Sequence, residues 1–353
     1  VDGDLEGTGC IGDFWVVKLD YDGNMLWQKC YGGSGLDFPN SMSLYHNQSV
    51  FIAGYTDSDD GDVTGYHDSY DYWVISIDLE GNLLWQKALG GSSWDQAFDI
   101  YWEWVFGYIW VIGESLSEDG DITTNHGTTD YWMVALDITG KVLFEKSFGG
   151  SGEESGKSIL LDYEGGIYVF GSASSTDGQV EDNHGNSDIW IVNTDYNGNY
   201  QWSKCIGGTR FEQPLSSTFS FPDISSAPDG IVLAGHTNSK DGDIEGYKGS
   251  DDVWIVKLSD ASTSTNNPHM ENGAASLYPN PARDFVTISS GLDHVRIDQV
   301  GIYDVIGRTM VKVPVDAFSL TMNIKENLAL SGVYFVEVML STGDRIVKRM
   351  IVE

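Results

Sequence analysis

The chain has 353 residues and a formal net charge of −34, and a field of this sign excludes nucleic acid and anionic membrane surfaces as partners. Glycine is abundant, with 42 residues against 8 prolines, and 12% of the residues are aromatic. This composition is typical of a turn-rich, all-β protein rather than a disordered one. No apolar run reaches the roughly 18 residues of a membrane-spanning helix, so we expect no transmembrane segment.

The negative charge is unevenly distributed along the chain. Residues 276–353 hold 8 Lys and Arg against 9 Asp and Glu, which leaves a net charge of −33 to residues 1–275. Such a surface favours solubility and attracts divalent cations. A simpler interpretation is the solvated acidic surface of a secreted protein.

Residues 1–5 resemble the acidic turn of a repeat described below, so we expect further sequence, including a signal peptide, to precede them.

The chain has three cysteines, and two of them could form a disulfide. Cys10 precedes a strand that should pair with the strand of Cys30, so a bridge between them is geometrically conceivable. Cys30 and Cys205 occupy equivalent repeat positions, and buried or free thiols are therefore the expectation for the three cysteines.

Residues 71–87 contain the unit from which the first 260 residues are built. An apolar run that begins Asp71-Tyr72-Trp73 is followed by a turn at Glu80-Gly81-Asn82 and by a second run that ends at Lys87. This pattern predicts a hairpin, because glycine supplies the positive φ of a tight turn. The unit recurs every 58–64 residues, which indicates a repeat architecture. The first tryptophans of the copies are Trp15, Trp73, Trp132, Trp190 and Trp254.

Three more landmarks recur in phase, namely a glycine pair, a strand that ends in glycine and an acidic turn. Four strands are predicted in the second copy, at residues 72–78, 83–88, 96–102 and 108–114. The first is apolar at consecutive positions, as expected of a strand buried on both faces. This favours an all-β fold, a β-propeller or partial propeller of about four four-stranded repeats over residues 1–260. The strand that ends at Gly113 is the predicted innermost strand, because space near the axis is tight.

The acidic turns are the one metal-like pattern. They carry carboxylates at alternating positions around a glycine, as oxygen-ligand loops for Ca²⁺ do. Aspartate and glycine also suit the backbone of a tight turn, and this second interpretation is favoured. The candidate Ca²⁺ ligands are Asp57, Asp59, Asp60, Asp62, Asp119, Asp121, Asp241 and Asp243.

Other recurrent residues are assigned to the fold. The aspartate before each first strand (Asp71 in the second copy) should accept backbone N–H bonds, and the loop histidines such as His67 should bond their neighbours. The recurrent tryptophans should form the core between repeats. Tryptophans outside the repeat pattern are better candidates for a surface on which carbohydrate stacks. These candidates are Trp94, Trp102 and Trp104.

The sequence changes character after residue 260. Residues 261–275 are small and polar and predict a linker. Alternating apolar runs with turn signals between them predict a small Ig-like β-sandwich over residues 276–353.

Both parts resemble known families. Residues 1–260 resemble the propeller-type repeats of large secreted proteins of Bacteroidota. Residues 276–353 are similar to the C-terminal sorting domain of the type IX secretion system (Por secretion system sorting domain, type A). This similarity rests on a Tyr-Pro-Asn-Pro opening, a Tyr-Asp-x-x-Gly-Arg turn, a Gly-Val-Tyr-Phe-Val strand and a Lys-Arg-Met-Ile-Val end. The motif residues are Tyr278, Pro279, Asn280, Pro281, Tyr303, Asp304, Gly307, Arg308, Gly332, Tyr334, Lys348 and Arg349.

The resemblance implies a route and leaves the activity open. Proteins with this domain cross the outer membrane through the type IX machinery and are released or attached to the cell surface. No nucleophile elbow, zinc-protease motif, phosphate loop or CxxC pair is present. We expect a secreted or cell-surface binding, adhesion or structural module, which binds a glycan, a surface protein or nothing specific. The alternative is a glycan-active or other hydrolytic enzyme on a propeller scaffold.

Overall fold

In the computed structural model, the described residues form two compact units. The described residues are 10, 12–103, 106–162, 166–220, 230–259, 275–280, 282–290, 294–304, 308–328, 332–341 and 345–352. Strands β1–β17 build the first unit, and strands β18–β24 with helix α1 build the second. Within these residues no helix is long and apolar enough to cross a membrane.

The first unit is a series of antiparallel sheets in which each strand pairs with its neighbour in sequence. β1 and β2 form a two-stranded sheet, three four-stranded sheets follow, and β15–β17 form a three-stranded sheet. The strands are β1 (Phe14–Leu19), β2 (Met25–Tyr31), β3 (Asp37–Tyr45), β4 (Ser49–Thr56), β5 (Asp71–Asp78), β6 (Leu83–Leu89), β7 (Asp95–Glu103), β8 (Tyr108–Ser115), β9 (Asp130–Leu136), β10 (Val142–Phe148), β11 (Glu154–Asp162), β12 (Gly166–Ala173), β13 (Asp188–Thr194), β14 (Tyr200–Ile206), β15 (Glu212–Ser220), β16 (Gly230–Thr237) and β17 (Asp252–Ser259).

The sequence repeat and the sheet are out of phase by half a unit. The four strands predicted in the second copy are confirmed as β5, β6, β7 and β8, with ends shifted by at most one residue. However, β5 and β6 complete the sheet begun by β3 and β4, whereas β7 and β8 begin the next sheet. The recurrent hairpin is therefore the second half of each sheet.

The prediction that the strand ending at Gly113 is innermost was wrong. This strand is β8, which lies between β7 and β9. The first strands approach each other instead: Asn40 Nδ2 of β3 donates to the Ala97 carbonyl of β7 at 2.7 Å. Gly113 is needed for another reason, because a β-bulge at Ala97 brings the Gln96 carbonyl oxygen to the position that a Cβ on Gly113 would occupy.

The core between consecutive sheets is formed by a repeated aromatic contact. Tyr72 of β5 packs on Trp132 of β9 with ring centroids 4.6 Å apart, and its hydroxyl donates to the Trp132 carbonyl at 2.9 Å. Trp73, the next residue, points to the opposite face and packs on Phe14 at 4.6 Å. β5 is therefore buried on both faces, as predicted. The recurrent tryptophans are fully buried in the central sheets, whereas Trp15 in the two-stranded sheet is 41% exposed.

The second unit contains two antiparallel sheets around one apolar core. One sheet has the strand order β18-β19-β22 and the other the order β21-β20-β23-β24. Both sheets contribute to the core, for example Val286 from β19 and Val336 from β23. The sandwich architecture predicted for this segment is thus present. Its elements are β18 (Ala275–Tyr278), β19 (Phe285–Ser290), β20 (Ile297–Asp304), β21 (Thr309–Ala317), β22 (Ser319–Asn323), α1 (Ile324–Asn327), β23 (Gly332–Leu340) and β24 (Arg345–Val352).

Candidate functional site

Three of the four junctions between sheets of the first unit contain a pair of buried carboxyl groups, and at the first junction Asp37 is buried whereas Asp13 is only partly buried. Asp71 begins β5 and Asp95 begins β7, and both are fully buried. Oxygens of both carboxyl groups lie where a Cβ on Gly90 would be, so only glycine fits between them. The Asp95 backbone N–H donates to the Tyr70 carbonyl at 2.7 Å, which links one sheet to the next.

Burial raises the pKa of these carboxyl groups. The pKa of Asp71 rises to about 6 because the group is buried and lies near the charge of Asp95, although the hydrogen bonds from His67 act in the opposite direction. Burial also raises the pKa of Asp95, Glu154 and Asp188. Asp71 Oδ2 accepts the His67 N–H at 2.8 Å, which confirms the predicted role of the aspartate before the first strand. These carboxyl groups therefore support the sheet junctions.

The acidic turns are tied to the glycine pairs. Asp119 Oδ1 accepts the Ser92 N–H at 2.7 Å, and Asp121 Oδ2 accepts the Gly90 N–H at 3.2 Å. The hydrogen bonds from Ser92 lower the pKa of Asp119. The other candidate calcium ligands are arranged similarly: Asp57, Asp60, Asp62, Asp241 and Asp243 each accept a backbone N–H from the facing loop.

The candidate ligands are not gathered around one point. Among the described residues no three or more His, Cys, Asp or Glu side chains form a group that could hold a metal ion. Asp119 and Asp121 accept backbone N–H bonds, which accounts for aspartate at these positions of the turn without a metal ion. Asp59 is exposed in the same turn as Asp57 and Asp60.

The histidines and cysteines have structural surroundings. The Nδ1 atom of His67 lies 2.9 Å from Asp71 Oδ2, and the same contact recurs in the next two copies, as expected of loop residues that bond their neighbours. Cys10 and Cys30 form a disulfide with Cα atoms 5.7 Å apart, so the expectation of free or buried thiols was wrong for this pair. Cys205 is a buried free thiol, and burial raises its pKa to about 12.

On one face of the first unit, the residues at equivalent repeat positions are not of the same type. This face lies where the first strands of the sheets begin and the second strands end, and we call it the junction face. The residues that support it repeat from copy to copy, whereas the residues that cover it change in chemical character. At successive sheet junctions the covering residues are Phe38, Tyr55, Tyr70 and Trp94, then Gln96, Glu114, Thr129 and Glu153, then Ser155, Ser172, Ser187 and Phe211.

The first junction carries a row of four aromatic rings, which we call the aromatic row. Phe38 and Tyr55 face each other across β3 and β4 with ring centroids 5.1 Å apart. Tyr70 lies 5.3 Å from Tyr55, and Trp94 lies 5.7 Å from Tyr70. Trp94 is 56% exposed and Phe38 39% exposed, so the row is accessible at both of its ends.

A polar cavity of about 570 Å³ lies on the same face at the later junctions. Its wall includes hydroxyl, amide and carboxylate groups together with the half-exposed ring of Phe211. Glu114 belongs to this wall, and its charge is among the causes that raise the pKa of Tyr55, after burial and the neighbouring Tyr70. The aromatic row and the cavity are therefore adjacent parts of one surface. The cavity volume lies within the range of small-molecule sites.

The three tryptophans predicted to stack on carbohydrate do not lie together. Trp94 is on the junction face, at the start of β7. Trp102 is near the other end of β7, packs on Tyr45 at 4.9 Å, and has a buried indole nitrogen. Trp104 lies outside the described residues. Sequence reasoning missed the remaining residues of the aromatic row because they come from separate loops and strand ends.

The motifs of the C-terminal unit form its internal contacts. Asn280 Oδ1 accepts the Ile351 N–H at 2.8 Å, which ties the Tyr-Pro-Asn-Pro opening to β24. Asp304 accepts both the backbone N–H and the Nε–H of Arg308, at 2.9 and 2.7 Å. Lys348 and Arg349 of β24 pair in register with β23, which holds Gly332 and Tyr334. Tyr278 is 77% exposed and Tyr303 belongs to β20, whereas Pro281 and Gly307 lie outside the described residues.

Comparisons with known proteins identify the C-terminal unit. Residues 276–353 match the family described as the secretion system C-terminal sorting domain. No curated protein matches the chain. Among solved structures it is similar to PorZ, a bacterial surface component of the type IX secretion system of Porphyromonas gingivalis, at 13% identity and a TM-score of 0.30; the alignment covers 96% of this chain and 44% of PorZ.

A second similar structure is a GH32 β-fructofuranosidase of Bombyx mori, at 10% identity and a TM-score of 0.31 over 92% of this chain and 74% of the enzyme. Likenesses at these TM-scores carry no argument about function. The family match does, because a sorting domain of this kind directs export through the outer membrane. The chain thus carries a type IX secretion sorting domain at residues 276–353 and is a protein of the cell surface or the extracellular space.

Proposed function

We propose that this protein is a cell-surface binding module that holds its ligand on the junction face. The observation that carries the proposal is the contrast between the two kinds of position in the repeat. The carboxyl pairs and glycine pairs recur at each junction and the aromatic contacts at three of the four, because every sheet has to pack on its neighbour. The residues that cover the junction face differ from copy to copy, and the packing of the sheets gives no reason for that difference.

The carboxyl groups of this face support binding better than hydrolysis. Glu154 and Glu212 line the cavity, but both are buried and accept backbone N–H bonds from Gly150 and Gly208 at 2.8 Å. Glu114 is paired with Lys157, with Nζ and Oε2 3.7 Å apart. Hydrolysis of a glycosidic bond needs a carboxylic acid and a second carboxylate that are free to act on opposite sides of that bond. Carboxylates that are bonded to the scaffold are better suited to hold a ligand in place.

A binding assay with the purified full chain tests the proposal. Fluorescently labelled protein is applied to immobilised extracellular polymer from a mixed bacterial biofilm. The test variant replaces three accessible residues of the junction face by alanine, namely Trp94, Glu114 and Phe211. The control variant replaces Glu80, Leu84 and Trp202 by alanine, three accessible residues of the outer hairpins.

We expect binding to fall at least fivefold in the test variant and to stay within twofold of wild type in the control. Equal binding by all three proteins would contradict the proposal. Circular dichroism of each variant verifies that the sheets are intact. Release of reducing sugar during the assay would favour the hydrolytic alternative instead.

A further inference from the structure

We infer that the ligand of the junction face is a neutral polysaccharide, whose sugar rings pack along the aromatic row and whose chain continues over the polar cavity. This inference rests on the proposed binding function and adds the chemical class of the ligand. It draws on three independent features: the accessible rings of the aromatic row, the chemistry of the cavity wall and the charge of the surface.

The aromatic row offers accessible ring surfaces on which sugars can pack. A pyranose ring presents C–H groups on its faces and hydroxyl groups around its edge, so its faces pack on aromatic rings while its edge bonds to polar groups. The planes of neighbouring rings meet at 31°, 84° and 77°, so Phe38 and Trp94 at the two ends of the row present separate accessible ring surfaces. The phenol groups of Tyr55 and Tyr70 add polar atoms beside the rings. A linear ligand that spans the row can therefore contact the rings of both Phe38 and Trp94.

The cavity offers the hydrogen-bonding groups that hydroxyl-rich ligands need. The wall includes the hydroxyl-bearing residues Ser172 and Ser187 and the amide-bearing residue Asn186, and hydroxyl-rich ligands bond to such groups. His236 and Gln213 stand at the far wall, with Nε2 and Oε1 3.3 Å apart. Glu114 and Glu153 provide acceptors, and the half-exposed Phe211 provides a second apolar surface. This mixture of donors, acceptors and one ring matches a sugar better than an apolar ligand.

Charge narrows the class of polysaccharide. Residues 1–275 carry a net charge of −33, and the cavity wall adds Glu114 and Glu153, so a polyanionic glycan would be repelled. A cationic peptide would be attracted by this charge. However, Glu114 already has Lys157 as its counter-ion, and Glu154 and Glu212 are buried and bonded to backbone N–H groups. Among the carboxyl groups of the wall, Glu153 alone is exposed to a cation. A neutral polysaccharide is not repelled by the negative charge, and it can contact both the aromatic rings and the polar groups of the cavity wall.

Affinity electrophoresis of the full chain tests the inference. Native gels contain one neutral polysaccharide each, from a panel of dextran, laminarin, starch, galactomannan, mannan and hydroxyethyl cellulose. We expect at least one of them to retard the wild type. In that gel Trp94→Ala should raise the apparent Kd about tenfold or more, because Trp94 is the most exposed ring of the row. The matched control Trp202→Ala, at a tryptophan that is 41% exposed on β14, should change it by less than twofold.

Each other result overturns the inference. Absence of retardation in every neutral gel excludes the neutral polysaccharide, as does retardation that Trp94→Ala leaves unchanged. Binding of poly-lysine that the same substitution abolishes would assign the face to a cationic peptide. In each case the biofilm-polymer assay decides separately whether the junction face binds a ligand of another class, so the two proposals can fail independently.

Discussion

The hydroxyl group of Tyr131 provides a sharp test of how consecutive sheets are held together. Tyr131 is fully buried, packs on Trp190 at 4.7 Å, and donates its hydroxyl to the Trp190 carbonyl at 2.9 Å. Burial raises the pKa of Tyr131 well above its usual range, so the hydroxyl remains a donor at every working pH. In Tyr131→Phe the ring is kept and only this bond is lost. Phe14 shows that the site accepts a ring without a hydroxyl, because it packs on Trp73 at 4.6 Å.

The substitution leaves a buried carbonyl oxygen without its donor, so we expect the free energy of unfolding to fall by about 1–3 kcal/mol. At about 2 kcal/mol, Tm should fall by about 4–8 °C for a unit of this size. Urea unfolding followed by near-ultraviolet circular dichroism measures the loss of unfolding free energy, and a thermal scan measures the fall in Tm. Tyr72→Phe should behave alike, since its bond to the Trp132 carbonyl has the same length of 2.9 Å. Tyr21→Phe, at a fully exposed residue, serves as the control.

A loss within about 0.5 kcal/mol of the control, the usual range for surface substitutions, would refute the reasoning. The sheets would then be held by apolar packing without a contribution from these bonds. A loss that depends on pH between 5 and 8 would also contradict it, because the hydroxyl does not titrate in that range.

Three further predictions concern the sheet junctions and the thiols. Gly90→Ala should destabilise the first unit by about 2 kcal/mol or more in urea unfolding, because its Cβ would meet the carboxyl groups of Asp71 and Asp95, whereas the control Gly249→Ala adds a Cβ in open space. The pKa of Asp71 is raised from 3.8 to about 6, so the carboxyl group contributes stability that is complete below about pH 4 and is lost as the pH rises through 6; Asp71→Asn should therefore flatten the fall in unfolding free energy between these values, and an unchanged slope would contradict the assignment. Thiol titration should find no reactive thiol in the native, unreduced protein and one after denaturation, that of Cys205, whereas three would exclude the Cys10–Cys30 disulfide.

Local structure could be predicted from the sequence wherever the residues that determine it are close together in the chain. The hairpin turn is an example: Gly81 has φ +76°, and Asp78 Oδ1 accepts the N–H groups of Glu80 and Asn82. The double burial of β5 was also readable, because it depends only on consecutive apolar residues.

Features that depend on the pairing of strands across longer loops could not be predicted from the sequence. A period fixes the length of the repeat but not where a sheet begins, so the half-unit shift between repeat and sheet was missed. Gly113 was assigned to a crowded axis because the sequence does not show the bulge at Ala97. Free or buried thiols were expected instead of the Cys10–Cys30 disulfide, since the position of Cys10 relative to β2 is a matter of three-dimensional structure.

The candidate site was the least predictable feature. Trp94 was identified as a residue outside the repeat pattern, but Phe38, Tyr55 and Tyr70 become its neighbours only when β3, β4 and β7 are brought to one face. Trp102 is outside the pattern too, and its indole is packed on Tyr45. A departure from the repeat therefore indicates a functional surface only when the structure shows the side chain to be accessible.

Hydrogen exchange with a bound oligosaccharide tests the central claim most directly. The full chain is labelled with and without a fragment of the polysaccharide that retards it most. We predict added protection in the loops and strand ends that carry Phe38, Tyr55, Tyr70 and Trp94, with the hairpin turn at Glu80–Asn82 unchanged. Protection at the hairpin turns instead, or no change with any fragment of the panel, would contradict binding at the junction face.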